Sequence, residues 1–163
     1  EAYSMENRTY RYFTGEPLYA FGHGLSYTTF SYDNLSIDQS EVAAGGKVRI
    51  SVEVTNCGSR AGDEVVQLYT RQTAVPPRPL KELKGYKRIS LEPGECKTVT
   101  FTLHANQLSV YDEDLLAALH PDRVEVLVGR SSDFLPLKGA FDIVGPTTGI
   151  KNDKVFFSDV NVR

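Results

Sequence analysis

The chain has 163 residues, a formal net charge of −3 and 24% charged side chains, which suits one soluble domain with its own core and is too short for two. Acidic and basic residues are interspersed without an arginine-rich stripe, which argues against nucleic acid as a partner. No apolar run approaches the roughly 20 residues that cross a bilayer, so no membrane partner is expected.

Residues 1–28 form a leader that is rich in aromatic rings: nine of the chain's seventeen Phe and Tyr residues lie in the first 32 positions. Each ring has roughly 150–250 Å² of surface to bury, so this segment must pack on something. Either the leader folds back over the core, or it belongs partly to a neighbouring domain. We expect an exposed apolar patch around Tyr10, Tyr12, Phe13 and Phe21, or a self-association that hides it.

Strands are indicated by apolar residues that alternate with polar ones, as in Lys47–Thr55, where Val48 and every second residue to Val54 would face inward. The parity slips at Asp33-Asn34, which predicts a bulge. Leu115–Leu119, in contrast, has fair helix propensity within an irregular crossing at 106–119. Seven strands are predicted, at 29–37, 47–55, 64–70, 86–89, 97–103, 123–128 and 135–144.

Seven short strands separated by turn residues predict an all-β fold, an immunoglobulin-like or fibronectin type III-like sandwich of antiparallel strands at residues 29–144. Two segments fall outside this pattern. Gln72–Gly85 is a long connection rich in proline, and residues 145–163 are a polar tail of unknown role with one apolar cluster, Val155–Phe157.

Several motifs resemble one known family, and they occur in that family's order over roughly residues 8–144. The segment from Arg8 to Thr28 resembles the end of the α/β-sandwich domain of family 3 glycoside hydrolases, where it leads into a fibronectin type III-like domain. The resemblance continues through these residues and segments: Asn56, Gly58, Ala61-Gly62, Val65–Tyr69, Pro79–Tyr86, Leu91–Glu95, Tyr111-Asp112 and Val128–Ser132. His120-Pro121-Asp122 departs from the family's usual Pro-Gly turn, and the tail after Gly145 matches nothing in it.

The resemblance implies a non-catalytic accessory domain whose partners are the catalytic domains of a larger glycosidase, with a slight preference for the β-xylosidase type over the β-glucosidase type. It places both catalytic carboxylates upstream of this chain. It therefore implies no catalytic residue and no cofactor here, and it favours a secreted or periplasmic parent enzyme. The first residues lack an initiator Met and an apolar signal core, so an excised piece or a mature product is expected.

Local side chains offer no competing chemistry. The carboxylates at Asp63-Glu64 and Asp112–Asp114 are interpreted as solvated turn residues, and neighbours on a strand point to opposite faces. The histidines His23, His104 and His120 have no metal-binding spacing. His23, between two glycines, is interpreted as a structural residue or as a contact to the catalytic domain.

The candidate domain interface combines the leader with the proline-rich loop. The domain would support the catalytic domains, and the loop would contact oligosaccharide at the rim of their active site. The alternative is a plain surface loop. The residues of the candidate domain interface are Tyr10, Tyr12, Phe13, Phe21, His23, Lys81 and Glu82. A carbohydrate-binding module and an independent protein-interaction domain are the other two classes, although the lack of Trp argues against the former.

The two cysteines, Cys57 and Cys96, are too few for a zinc cluster. Both have outward parity at the ends of strands predicted to be neighbours. They would form a disulfide if their Cα atoms approached within about 4.4–6.8 Å, and otherwise remain two free thiols.

Overall fold

The computed structural model describes residues 7–72, 79–111, 116–151 and 153–163, and the regular secondary structure in this part of the chain is almost entirely β-strand. It contains a short helix, α1 (Thr9–Tyr12), and a 3₁₀ turn at Ala105–Leu108. No helix in the described part is long and apolar enough to span a membrane. The strands are β1 (Phe30–Ile37), β2 (Glu41–Val42), β3 (Lys47–Asn56), β4 (Gly62–Gln72), β5 (Glu82–Leu91), β6 (Cys96–His104), β7 (Val110–Tyr111), β8 (Ala117–Leu119), β9 (Asp122–Gly129), β10 (Leu137–Ile143), β11 (Thr148–Gly149) and β12 (Asp159–Val162).

Two facing sheets form the sandwich, which confirms the predicted fold class. One has four strands in the order β1-β3-β6-β12, and the other has five in the order β2-β10-β9-β4-β5. The seven predicted strands correspond to the seven long ones, and all of these pair antiparallel. The two-residue β2 is an exception, because it pairs parallel with β10. Three short strands form a separate small sheet, β11-β8-β7.

The core lies between the two sheets and follows the predicted alternation. Val48, Ile50, Val52 and Val54 of β3 are at most 1% exposed. The inward residues of the neighbouring β6, including Phe101, are equally buried, and valines of β9 face them from the other sheet. Burying one such side chain contributes roughly 1.5–3 kcal/mol, so these strands supply most of the stability of the fold.

The predicted irregularity in the first strand is confirmed. The pairing of β1 with β3 shifts register between Asp33 and Ser36. Asn34 lies inside this shift with φ of 54°, in the left-handed region that Asn tolerates better than most residues. The slip in parity at Asp33-Asn34 was therefore the sequence signature of a bulge.

The strand pairing continues beyond residue 144, where the sequence pattern placed the end of the sandwich. β12 pairs antiparallel with β6, so Val160 lies opposite Phe101 at the edge of the four-stranded sheet. Thr148 and Gly149 pair with β8, and Ile150 is buried in the core. Strand β12 has only four residues, which are too few to show a clear alternation of apolar and polar side chains, so it was not predicted from the sequence.

Two expectations about local structure are corrected. The stretch with helix propensity forms β8 at Ala117–Leu119, where pairing on both sides and burial of Leu119 override the local preference. Leu115 lies outside the described residues. The expected connection Gln72–Gly85 is shorter than predicted, because its ends belong to β4 and β5; residues 73–78 lie outside the described part.

The cysteines are two free, exposed thiols, so the structure does not contain the disulfide that was one interpretation of the sequence. Cys96 lies opposite Thr55 in the ladder, which places Cys57 two residues away on the diagonal. Such diagonal neighbours are about 7–8 Å apart, beyond the usual Cα distance of a disulfide.

Candidate functional site

The leader folds onto the outer face of the five-stranded sheet. Tyr10 stacks on Phe21, with ring centroids 4.1 Å apart and planes inclined by 11°, and it contacts the Tyr69 ring edge-on at 6.1 Å. Tyr69 points away from the sandwich core and is nevertheless 0% exposed. Strand β4 is therefore covered on both faces: by the core on one side and by the leader on the other.

Gln67 ties the leader to the sheet at Gly22. The Tyr69 hydroxyl donates to Gln67 Oε1 at 2.7 Å, and Gln67 Nε2 donates to the Gly22 carbonyl at 3.3 Å and to the Arg130 carbonyl. Gly22 has φ of +78°, and a Cβ there would overlap the Gln67 side chain. Only glycine satisfies both conditions, which accounts for this residue at this place.

A second set of contacts ties the start of the leader to the beginning of β5. The Leu80 N–H donates to the Arg11 carbonyl at 2.6 Å, and the Leu83 N–H donates to the Tyr10 hydroxyl at 3.0 Å. Arg11 also forms an ion pair with Glu82, which in turn lies 3.1 Å from Lys84 Nζ. The leader is thus held at two points that are separate along the chain.

Between these two anchors the leader leaves an open apolar groove of about 1020 Å³, which we call the leader groove. Its walls are Tyr10, Phe13, Tyr19, Phe21 and Leu80, and Arg11, Lys81 and Asp133 add charge at its margin. Phe13 is 40% and Tyr19 71% exposed, and the neighbouring Leu18 is 91% exposed. This chain does not bury these side chains itself.

The structure brings together most of the residues predicted for a domain interface. Tyr10, Phe13, Phe21 and Lys81 line the leader groove. Glu82 lies behind the groove in its ion pair with Arg11, and Tyr12 is half-buried with the Arg11 guanidinium 5.7 Å from its ring centroid. His23 stands apart: its ring lies 5.5 Å from the Tyr19 ring, and it lines a second cleft.

This second cleft, the Glu64 cleft, has a volume of about 420 Å³ and is lined by the end of the leader, from Gly22 to Thr28, and by the start of β1. Its charged residues are Asp63, Glu64, Arg88 and Arg130. Glu64 is only 8% exposed because it has the inward parity of β4, which corrects its interpretation as a solvated turn residue. Burial raises the pKa of its carboxyl group, while the Val65 N–H, which donates to Oε1 at 2.8 Å, opposes this effect.

The neighbouring Asp63 points the other way and is exposed. Hydrogen bonds from Ser90 and Arg88 hold the pKa of its carboxyl group below the usual value. The two adjacent carboxylates therefore occupy opposite faces of β4, as expected, and do not form a catalytic pair. Asp112–Asp114 lie outside the described residues. Within the described ranges, no group of three or more His, Cys, Asp or Glu could hold a metal ion.

Gln67, Tyr69 and Glu64 were not among the site residues predicted from the sequence. The sequence did contain a signal that both faces of this strand are covered. In residues 64–70, apolar side chains occur on both faces of the strand, as expected of a central strand. Which side chains would cover the outer parity could not be derived, since the covering segment is more than 40 residues earlier in the chain.

Comparison with known proteins agrees with this architecture. Residues 64–132 match the family model described as a fibronectin type III-like domain. A β-xylosidase from Formosa agariphila is 48% identical over 130 residues, which cover 79% of this chain and 18% of that protein. The thermostable β-glucosidase B of Acetivibrio thermocellus is 44% identical, with the same two coverages.

Solved structures give the same correspondence. β-Glucosidase 3B from Thermotoga neapolitana, in complex with glucose, superimposes with a TM-score of 0.78 at 35% identity, over 87% of this chain and 19% of that one. A β-glucosidase from Listeria innocua gives a TM-score of 0.75 at 36% identity, over 80% of this chain and 18% of that one. The chain thus spans about a fifth of the length of its relatives, and it contains the fibronectin type III-like domain that forms a minor part of these β-glucosidases and β-xylosidases.

Proposed function

We propose that this chain is a non-catalytic accessory domain of a larger glycosidase of the β-xylosidase or β-glucosidase type, and that the leader groove is the face on which it meets the catalytic part. The observation that carries the proposal is the groove itself. It is an apolar groove with a volume of about 1020 Å³. Its walls include aromatic rings that the domain leaves partly exposed, although the core of the domain is closed.

The chemistry of the groove suits a protein surface better than a small ligand. Phe13, Tyr19 and Leu18 present large apolar side chains to solvent, and contiguous patches of this kind on soluble proteins mark interfaces. Aromatic anchors in pockets with a polar margin supply most of the binding energy of interfaces. Arg11, Lys81 and Asp133 provide such a margin.

The finer part of the proposal concerns the connection between β4 and β5. Lys81 and Leu80 lie at the margin of the leader groove, next to the part of this connection outside the described residues. A loop at the edge of a docking face would reach the rim of the partner's active site and contact oligosaccharide bound there. The similarity to enzymes named β-xylosidase and β-glucosidase supports this choice of ligand.

The test has two parts. The 163-residue chain should not hydrolyse nitrophenyl β-xyloside or β-glucoside after rigorous purification, and reproducible turnover would refute the accessory role. In the larger polypeptide, Phe13→Ser and Tyr19→Ser should lower the melting temperature and the activity together, because both rings would be buried at the domain interface.

The matched control for the second part is Phe157→Ser. Phe157 is 82% exposed and lies outside the leader groove, so this variant removes a similar ring without touching the proposed interface. If Phe157→Ser and the groove variants had the same effect on the larger polypeptide, the leader groove would not be the docking face.

A further inference from the structure

The Glu64 cleft is lined by two charged groups, Glu64 and Arg130, that form no ion pair among the described residues. The Glu64 carboxylate accepts a hydrogen bond from the Val65 N–H and belongs to no ion pair among the described residues. Tyr32, on the opposite sheet, is 7% exposed and does not line the cleft, and its hydroxyl has no hydrogen-bond partner in the described part of the chain. A largely buried carboxylate without an ion-pair partner is costly, so Glu64 is a suitable hydrogen-bond acceptor for a ligand in the cleft.

Tyr32 and Glu64 belong to one electrostatic cluster, together with Arg130. Burial raises the pKa of the Tyr32 hydroxyl, the Glu64 charge raises it further, and Arg130 opposes both effects. The same Arg130 lowers the pKa of the Glu64 carboxyl group. Glu64 and Arg130 both line the cleft, so both can contact one ligand there.

The charges in the cleft favour a neutral ligand. Of its two carboxylates and two guanidinium groups, Asp63 and Arg88 already neutralise each other, with Arg88 Nη2 2.5 Å from Asp63 Oδ2. Arg130 lies over the Phe134 ring at 4.3 Å and forms no ion pair within the described ranges. Of these four charged groups, Glu64 remains available as a hydrogen-bond acceptor and Arg130 as a donor.

The margin of the cleft adds an apolar surface. Leu25 lines the Glu64 cleft and is 94% exposed, and Tyr27 follows two residues later with 95% of its surface exposed. Both side chains also line a shallow depression next to the cleft, together with Asp63 and Arg88. An exposed ring beside paired donors and acceptors suits a molecule with one apolar face and several hydroxyl groups.

We propose that the Glu64 cleft binds a neutral saccharide, whose hydroxyl groups donate to the Glu64 carboxylate and accept from the Arg130 guanidinium while a sugar face packs on Tyr27. A volume of about 420 Å³ is within the usual range of small-molecule sites. This site is separate from the leader groove and goes beyond the accessory role. Saccharide binding in the Glu64 cleft does not require that the leader groove docks on another domain.

The test is an NMR titration of the 163-residue chain with xylobiose and, separately, with cellobiose. We expect saturable shifts of the Gly24 and Val65 amides with at least one sugar. Glu64→Gln and Arg130→Met should each weaken binding by about tenfold or more, because each removes a charge-assisted hydrogen bond. Neither change alters side-chain size greatly, and an unchanged spectrum away from the cleft would show that each variant folds.

Glu125→Gln is the matched control, because it makes the same chemical change at a half-exposed carboxylate outside the cleft. It should bind the sugar as the unaltered chain does. The proposal is overturned if neither sugar gives saturable shifts, or if Glu64→Gln binds as tightly as the control. It is also overturned if methylguanidinium saturates the cleft and the sugars do not, which would identify a receptor for a cationic side chain.

Discussion

The sandwich interior and the leader contain similar aromatic side chains but differ in how completely the chain buries them. Phe101 and Phe141, between the two sheets, are at most 2% exposed, whereas Phe21 and Tyr19 in the leader are 45% and 71% exposed. The leader is nevertheless fixed to the sheet by Gln67, Tyr10 and Arg11. The difference shows that the sandwich closes its own core, while the leader is held in place and still leaves much of its apolar surface exposed.

The largest effect should come from the interior. Phe101→Ala should lower the free energy of unfolding by about 3–5 kcal/mol in urea denaturation. The substitution leaves a cavity in place of the Phe101 ring, next to Gly85 and Ser158. Leu18→Ala in the leader should change it by less than about 0.5 kcal/mol, since Leu18 is 91% exposed. Equal losses in the two variants would contradict the contrast between the two regions.

Removal of residues 159–163 should have the next largest effect, about 2 kcal/mol or more. It deletes the ladder between β12 and β6 and the half-buried Val160 and Val162. Hydrogen exchange of the β6 amides, compared with those of β9, would locate the loss. Asn161→Ala is the control within the same strand, because its side chain is exposed. Unchanged protection of β6 would show that β12 contributes nothing to the sheet.

Gly22→Ala changes the point where the leader contacts the five-stranded sheet. Both Gly22 and Gly45 have positive φ near 80°, but a Cβ would overlap Gln67 only at Gly22 and meets nothing within 4 Å at Gly45. Gly45→Ala should therefore cost about 1–2 kcal/mol for its backbone alone. Gly22→Ala should in addition release the leader, detected as faster proteolysis before residue 22. Equal proteolysis of the two variants would mean that Gln67 does not hold the leader.

The smallest effect concerns pH. Burial raises the folded-state pKa of Glu64, so between the ordinary and the raised value the folded state holds more protons than the unfolded state, and stability falls as pH rises. Glu64→Gln should therefore stabilise the chain slightly at pH 7 and leave it unchanged at pH values below the ordinary pKa of Glu. Urea unfolding at both pH values measures this, with Glu125→Gln as control. A stabilisation of the same size at low pH would exclude this cause.

The sequence predicted the seven long strands and the bulge in β1 because period-two alternation is a local property of each strand. It did not predict β8 or β12, where three or four residues are held by neighbours distant in the chain. Long-range pairing of this kind leaves little local signal.

The candidate site was predictable to a similar degree. The rings of Tyr10, Phe13 and Phe21 were identified from their unusual density in the leader, and the structure brings them to one groove. Glu64 was misread because a carboxylate next to Gly62 and Asp63 resembles a turn, while its parity with Val66 and Leu68 pointed inward. Parity was the better guide, since a strand fixes the direction of each side chain regardless of its polarity.

Strand β12 has a consequence for how copies of this molecule behave in concentrated solution. It occupies the edge of the four-stranded sheet, where the nine residues of β6 would otherwise present unpaired N–H and C=O groups. An open edge of that length is a template for pairing with another chain and for aggregation. Asp159–Val162 pairs with four of these nine residues, Val99–Thr102, so a short segment of chain is expected to shorten the open edge and reduce this tendency.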